Sequence, residues 1–240
     1  MKKEYWFVII TYIAMQLSGI VGMPIFTVIG SALGIPSDEL EVKSAAYWIV
    51  FSFLAALIVI LFLLRKDMKE NTELTQTSVP VSFLWAIAGV FLAFFAQNIA
   101  GNIEQMLGVE TESENTQNLV SLIYKVPMVI FVTSVIGPIL EEIIFRKIIF
   151  GSLYKRFNFF ISALLSSVIF GLAHGELEHL LLYAAMGFTF AFLYAKTGRI
   201  LVSIAAHVAM NTLVVIIQVV YREDIEKLSD TAQAFIGGLL

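Results

Sequence analysis

Long uncharged apolar runs, separated by short polar connections, are the dominant pattern along this chain. Residues 5–37 contain no charged side chain, and residues 44–64 and 81–103 form uncharged runs of 21 and 23 residues. An α-helix rises about 1.5 Å per residue and the hydrocarbon layer of a bilayer is about 30 Å thick, so about 20 apolar residues cross it. Each of these runs is therefore predicted to contain a membrane-spanning helix.

The first run is longer than one span requires, and far longer than the apolar part of a signal peptide. We interpret it as an uncleaved first span that breaks near Gly22-Met23-Pro24, because glycine and proline together favour a break. The remaining apolar piece, up to Gly34-Ile35-Pro36, is expected to be an interfacial or re-entrant segment.

The second half of the chain continues the pattern. A fourth helix is predicted from about Asn118 to about Lys155, and the runs 157–173, 180–195 and 200–221 supply three more spans. The chain is thus predicted to be all-α, a polytopic transmembrane helical bundle of about seven spans, or eight with the re-entrant segment. Residues 1–240 are expected to form a single membrane-embedded domain.

Composition agrees with a membrane protein and excludes several kinds of site. With 59% hydrophobic and 14% charged residues and a mean hydropathy of +0.87, the chain lies far outside the averages of soluble domains. It has no cysteine, which excludes disulfides, a cysteine nucleophile and zinc sites built on thiolates. The lipid bilayer is the expected surrounding, and no nucleic-acid partner is expected.

The basic residues near the helix ends predict an orientation, because cytoplasmic loops are enriched in lysine and arginine. With the amino terminus in the cytoplasm, eleven basic residues from Lys2 to Arg199, Arg146 among them, fall on the inner side. Four fall on the outer side: Lys43, Lys125, Arg222 and Lys227. We therefore predict a multi-pass cell-membrane protein with a cytoplasmic amino terminus.

Three charged side chains interrupt the apolar pattern of the fourth helix, at Glu141, Glu142 and Arg146. A charge inside a bilayer costs about 2.5–3.5 kcal/mol on insertion scales, so such residues usually pair or line a polar cavity. On a helix, Glu142 and Arg146 face each other one turn apart, whereas Glu141 lies about 100° away. Pro138 lacks a backbone donor and loosens the preceding turn. We expect a Glu142–Arg146 pair and a Glu141 side chain that faces other helices.

Two histidines also lie well inside apolar runs. His174 follows Phe170 by four residues, and His207 precedes Asn211 by four. A lone histidine or amide in a membrane commonly forms an interhelical hydrogen bond. We give that interpretation to three residues of the third span: Gln97, Asn98 and Asn102. A carboxylate pair, an arginine, two histidines and an asparagine on three helices instead predict one shared site.

The residue types of this site suit hydrolysis. Glu141 and His174 together can hold and deprotonate a water molecule, which is general-base chemistry. His207 and Asn211 can donate hydrogen bonds to the oxyanion that forms when that water attacks an amide carbonyl. The sequence has no Gly-x-Ser-x-Gly motif, no His-Glu-x-x-His motif and no phosphate-binding glycine loop. The pattern therefore indicates amide hydrolysis without a side-chain nucleophile.

Three motifs, in this order, resemble those of the CPBP family of intramembrane proteases, named for CAAX proteases and bacteriocin-processing enzymes and also called the Abi family. Residues 141–146 are similar to its Glu-Glu-x-x-x-Arg motif, residues 170–174 to its Phe-x-x-x-His motif and residues 207–211 to its His-x-x-x-Asn/Asp motif. The resemblance covers about residues 119–221. It implies an endopeptidase that acts on a membrane-associated peptide or protein, in peptide maturation, bacteriocin processing or immunity, or CAAX-like processing.

The resemblance also implies residue roles. Glu141 and His174 would activate the water, and Glu142 and Arg146 would support the site. The oxyanion would be bound by two residues of the last span: His207 and Asn211. The family is variously described as metal-dependent or glutamate-type, and two histidines with a carboxylate could hold a zinc ion with one open position. No obligatory metal is expected, because His207 and Asn211 already have an oxyanion role.

Two other functional classes remain open on the sequence. The same fold could serve as a non-catalytic membrane scaffold or regulator, although the three motifs are intact here. An ion-coupled transporter also uses buried carboxylates and histidines. Transporters usually show internal repeats with paired broken helices, and no such repeat is visible in the sequence.

Overall fold

The computed structural model describes residues 2–67, 74–110 and 113–221, and these residues form helices and short connections, with no β-strand among them. The helices in chain order are α1 (Lys3–Leu17), α2 (Gly19–Ala32), α3 (Ser37–Leu64), α4 (Val79–Met106), α5 (Glu114–Lys125), α6 (residues 129–154), α7 (Phe159–Ala173), α8 (Leu180–Thr197) and α9 (Ile200–Val220). The predicted all-α fold is confirmed.

Four helices are long and apolar enough to cross a membrane: α3, α4, α8 and α9. For α8 this length includes the short helical turn that begins at Leu177. The bent pair α1 and α2, with 50° between the two parts, would make a fifth span. Helix α7 is apolar but has only 15 residues, and α6 is divided by wider helical turns. The membrane-embedded helical bundle is confirmed, while the count of seven spans stays a prediction.

The break in the first apolar run lies at Ser18, so its predicted position at Gly22-Met23-Pro24 is wrong. Ser18 donates a hydrogen bond from Oγ to the carbonyl of Met15 at 2.6 Å and accepts one from Trp48 Nε1 at 3.2 Å, which secures the bend. Gly22 has a packing role instead, because a Cβ there would lie 1.9 Å from the Trp48 ring. Pro24 lies inside α2.

The predicted fourth helix is two helices. Helix α5 ends at Lys125, Val126 has an extended backbone (φ −139°, ψ 89°), and α6 begins at residue 129. Pro127 explains the break, since proline disfavours helical geometry in the residue before it and has no N–H to donate. Helix α5 is consequently free to pack across α3 and α9.

Helix α6 is the centre of the bundle. Its side chains Leu140, Ile144 and Ile148 are buried, and Phe145 makes edge-to-face ring contacts with Tyr12 of α1 and Phe170 of α7. The same apolar core takes in side chains of α3, α4, α8 and α9. The charged residues of α6 are therefore held inside the protein and not at a lipid-facing surface.

Large apolar side chains cover the outside of the bundle. Ile20 is 77% exposed, Phe91 71% and Leu201 70%. A soluble monomer rarely exposes large contiguous apolar patches, whereas lipid tails solvate such side chains well. This exposure agrees with a bundle surrounded by lipid.

One end of the bundle is held together by a cluster of charges. Asp67 pairs with Lys2 at 2.7 Å and with Lys147 of α6 at 2.8 Å, and Tyr5 donates to it at 3.0 Å. Burial opposes ionisation of Asp67, but these contacts outweigh burial and hold the pKa of Asp67 below its usual range. The cluster places Lys2 and Lys147 at the same end of the bundle, as the orientation prediction requires.

Three basic residues used in the orientation prediction lie outside the described residues: Lys69, Arg222 and Lys227.

Candidate active site

The first of the three predicted motifs, residues 141–146, lies on a stretch of α6 with unusually wide turns. Residues Val132–Ile136 and Glu142–Phe150 are π-helical, and Gly137–Glu141 between them is α-helical. Such π turns are uncommon and are frequently found at functional sites. Pro138 is the second residue of the α-helical part, so its missing N–H falls where the backbone changes from one helix type to the other.

Glu142 and Arg146 pair as their spacing predicts. Arg146 Nε lies 3.4 Å from Glu142 Oε1, and both side chains are fully buried. The guanidinium also lies over the Phe170 ring, with 4.2 Å from Cζ to the ring centroid, and a second ring, Phe190, lies at 5.5 Å. Arg146 is thus not one of the basic residues at a helix end, and ten of the eleven counted for the inner side remain.

Glu142 connects α6 to α9 through two further contacts. Its Oε1 lies 2.9 Å from His207 Nδ1, and its Oε2 accepts a hydrogen bond from Ser203 Oγ. Sequence reasoning missed Ser203. The available signal was its position one helical turn before His207, which puts both side chains on the same face of α9.

His207 lies between the two carboxylates. Its Nε2 is 3.7 Å from Glu141 Oε2, and its ring stacks on Phe190 with centroids 4.4 Å apart and planes at 19°. The side chain of Glu141 is 20% exposed, whereas that of Glu142 is fully buried. Glu141 is therefore the more accessible carboxylate of the pair.

Asn211 lies one turn further along α9. Its Nδ2 donates to the carbonyl of Thr133 at 3.3 Å, and this carbonyl belongs to the first π-helical segment of α6. In a π turn the Thr133 carbonyl would pair with the N–H of residue 138, which is a proline and has none, so the Asn211 amide supplies the donor. The predicted His207 and Asn211 pair thus lies on one face of α9.

His174 is the residue that ends α7, so the expectation that it lies well inside an apolar run is wrong. Its Nδ1 lies 2.8 Å from the carbonyl of Phe170, and its ring stacks on Tyr183 with centroids 4.0 Å apart. Phe170 makes an edge contact at 4.5 Å. No hydrogen bond or ion pair joins His174 to Glu141 in the part of the chain that the structure describes.

The backbone around His174 is fixed by Glu176, a residue that sequence reasoning also missed. Glu176 accepts hydrogen bonds from Ser113 Oγ at 2.8 Å, the Asn115 backbone N–H at 2.9 Å and Tyr183 OH at 2.6 Å. Asn115 Nδ2 also donates to the carbonyl of His174 at 2.8 Å. Burial works against ionisation of Glu176, but these donors prevail and hold its pKa below the ordinary value.

A cavity of about 510 Å³ joins these groups. His174, His207 and Asn211 line it together with Thr133, and α5 closes one side with apolar residues such as Val120. Glu141 is not among the lining residues, but its Oε2 lies 3.7 Å from Nε2 of His207, which lines the cavity. The cavity has the size and mixed lining of a small-ligand or peptide-side-chain site.

The described side chains do not fit a metal ion. Among them, no three histidine or carboxylate groups converge closely enough to hold one. The oxygens of Glu142 are already committed to Ser203, His207 and Arg146. The described residues therefore offer no open set of metal ligands at this site.

The interhelical role predicted for the amides of the third span is wrong for two of them. Asn98 donates to the carbonyl of Phe94 and Asn102 to that of Asn98, so both bond to their own helix. The polar link between α4 and α8 is made by Glu104, which lies 3.1 Å from His179 Nδ1 and accepts from the Leu182 N–H at 2.9 Å.

Comparisons with known proteins place the same region in a family. The profile of the family described as Type II CAAX prenyl endopeptidase Rce1-like matches residues 124–213. The chain is 53% identical over 242 residues to a Bacillus subtilis protein named as a membrane peptidase, YdiL, with 100% of this chain and 99% of that protein covered. It is 33% identical over 204 residues to a Staphylococcus aureus protein named membrane-embedded CAAX protease MroQ, with 80% and 82% covered. No solved structure matches the chain.

Proposed function

The chain belongs to the CPBP family of membrane proteases, related to the type II CAAX prenyl endopeptidases, and we propose that it is an endopeptidase that cleaves a membrane-associated peptide or protein with a water molecule activated by Glu141. One observation carries this proposal. Glu142, His207 and Glu141 form a continuous series of contacts, at 2.9 and 3.7 Å, and this series borders a cavity that His174 and Asn211 also line.

Glu141 is the general base in this proposal. It is the carboxylate with partial exposure, and no arginine or lysine pairs with it among the described residues. Glu141 takes a proton from the water as the water oxygen attacks the carbonyl carbon of the scissile bond. The C–N bond then breaks, and Glu141 returns the proton to the leaving amine.

His207 and Asn211 are the candidate oxyanion ligands, and the geometry sets a condition on His207. An ionised Glu142 can only accept a hydrogen bond, so Nδ1 of His207 must carry the hydrogen of their 2.9 Å contact. Nε2 can then donate to an oxyanion only if His207 is the imidazolium. Glu141 and Glu142 on either side provide the negative charge that such a cation needs.

His174 is assigned the second contact to the attacking water. Its Nδ1 is engaged by the Phe170 carbonyl, which leaves Nε2 as the nitrogen available to the cavity. Glu142 and Arg146 are assigned a supporting role, because both are fully buried and pair with each other. Ser203 joins them as a positioning residue, since it donates to Glu142.

The proposal is tested with purified protein in liposomes and membrane-tethered peptides. We expect cleavage by the wild type and none by Glu141→Ala or His174→Ala, with the exposed Glu41→Ala as the matched control that cleaves normally. Full activity in both site variants would overturn the assignment. A cellular phenotype that survives Glu141→Gln would instead support a scaffold.

A further inference from the structure

A second cavity, of about 520 Å³, lies beside the site cavity and carries a different lining. The two cavities share five lining residues from α4, the α7–α8 connection, α8 and α9: Gln97, His179, Leu182, Val214 and Gln218. These shared residues form a common wall, so the second cavity lies next to the site cavity. It extends toward the end of the bundle where α4 and α9 finish.

Side-chain amides are concentrated along this second cavity. Four come from α4 and one from α9, and we call this set the amide groove: Gln97, Asn98, Asn102, Gln105 and Gln218. Asn98 and Asn102 use their Nδ2 atoms on carbonyls of α4, so each retains a side-chain oxygen that can accept a hydrogen bond. An amide presents both a donor and an acceptor, as a peptide unit does.

Polar groups within a membrane protein need polar partners, because lipid offers none. Since Asn98 and Asn102 bond within α4, these amides do not serve to hold α4 to its neighbours. The polar link between α4 and the start of α8 is made instead by buried Glu104, which contacts His179 and accepts from the Leu182 N–H. Among the described residues, the amide groove makes no hydrogen bond that joins two helices, so its amides are available to a ligand.

The charge of the lining selects among ligands. Among the described residues, no lysine or arginine lines either cavity, and two carboxylates, Glu104 and Glu110, line the second one. Glu104 is engaged by His179 and the Leu182 N–H, whereas Glu110 is exposed. An acidic ligand would find no cation among the described lining residues, and an isoprenoid chain would leave the amides unpaired.

We propose that the amide groove binds the substrate segment next to the scissile bond, and that this segment is an unprenylated, extended peptide with neutral polar or basic side chains. This inference rests on the proposed function that the neighbouring site cleaves membrane-associated peptides. The amides bind the peptide groups of the segment, and the apolar wall of the site cavity takes its membrane-embedded part.

Binding is measured with the Glu141→Gln protein, so that bound peptide is not cleaved. Four fluorescent peptides share one apolar segment and differ in the flanking one, which is basic and polar, acidic, leucine-rich, or prenylated. We expect the basic polar flank to bind roughly ten-fold more tightly than the other three. Equal binding of all four, or tightest binding of the prenylated peptide, would overturn the proposal.

Substitutions in the amide groove test whether it causes the preference for the basic polar peptide. Gln97→Leu combined with Gln218→Leu should remove the ten-fold preference, and Asn118→Leu, an exposed amide on α5 outside both cavities, should retain it. Gln105→Lys, at an exposed position, should weaken the basic peptide selectively even if the double variant folds poorly. No effect of Gln105→Lys would contradict the proposal. Cleavage by the wild type is measured separately, so a failure of the proteolytic function is distinguished from a failure of the groove.

Discussion

Glu142 is the residue on which the site geometry depends. It is fully buried and contacts Arg146 on its own helix and both Ser203 and His207 on α9. A buried charge of this kind is tolerated only while its partners are present, and removal of one partner leaves the other uncompensated. Glu141, by contrast, is partly exposed, and its one ion pair among the described residues is with His207.

This difference predicts opposite effects of two substitutions. Arg146→Ala should destabilise the protein by about 3–5 kcal/mol, because Glu142 is left as an unpaired buried charge. Glu141→Gln keeps the shape of the side chain and should leave thermal stability in detergent unchanged or raised while peptide cleavage disappears. Arg156→Ala, at an exposed arginine, is the control. If Glu141→Gln unfolds the protein and Arg146→Ala only slows it, the two roles are reversed.

Ser203 provides a test of the support given to Glu142. Ser203→Ala removes a buried donor and should cost about 1–3 kcal/mol, with a loss of activity, because one oxygen of Glu142 is left unsatisfied. Ser162 is a matched control, since it is a buried serine whose hydroxyl has no partner among the described residues. Ser162→Ala should be neutral. Equal thermal stability of the two variants would argue against a supporting role for Ser203.

The pairing of Glu142 with Arg146 could be predicted from sequence because both residues lie on one helix, where spacing alone fixes their relative position. The contacts of Glu142 with Ser203 and His207 could not, since they depend on how α6 packs against α9. The same limit applies to Glu176, whose partners lie on α5 and α8. Local periodicity carries no information about such contacts between helices.

At the scale of elements, the position of α5 determines the shape of the cavity. Pro127 separates it from α6, and both ends are tied to other helices: Glu176 accepts from Asn115 near one end, and Tyr124 donates to the Val219 carbonyl at the other. The apolar periodicity of the region predicted helix correctly. The split at Pro127 was missed because residues on both sides favour helix and only the proline geometry marks the boundary.

The connection at Glu176 should be sensitive to acid. Its pKa lies below the ordinary glutamate value near 4.5 in the folded protein, so its stabilising contribution is complete above that value and is lost as pH falls through the folded pKa. Glu176→Gln should therefore be less stable than the wild type at neutral pH, with the difference shrinking below about pH 4.5. Thermal unfolding in detergent across this range measures it, with the exposed Glu178→Gln as control. If the stability difference between Glu176→Gln and the wild type does not change with pH, the ionised Glu176 carboxylate does not stabilise the connection.

At the scale of the whole molecule, the hydropathy pattern predicted the membrane-embedded helical bundle, because lipid requires long apolar helices and the chain contains them. The break at Ser18 was misplaced because Gly22 serves close packing against Trp48, and a sequence alone does not distinguish a packing glycine from a breaking one. Orientation stays a prediction, since a bundle has the same internal contacts either way up.

The absence of cysteine makes that orientation directly measurable. Single cysteines at Arg156 and Glu110, both exposed and predicted to lie on opposite sides, can be labelled in intact cells with a membrane-impermeant maleimide. With a cytoplasmic amino terminus, Glu110→Cys should react and Arg156→Cys should react only after the membrane is permeabilised. The reverse pattern would invert the topology and place the amide groove on the cytoplasmic side.

The central claim is that Glu141 activates the water that cleaves a peptide bond inside the membrane-embedded site. Single-turnover cleavage of a tethered peptide, measured beside the affinity for the same peptide, tests it most directly. Glu141→Gln should lower the rate by roughly a thousand-fold, within the range of general-base catalysis, while affinity stays within about three-fold of the wild type. A Glu141→Gln protein that cleaves at the wild-type rate, or that fails only because it no longer binds the peptide, would contradict the claim.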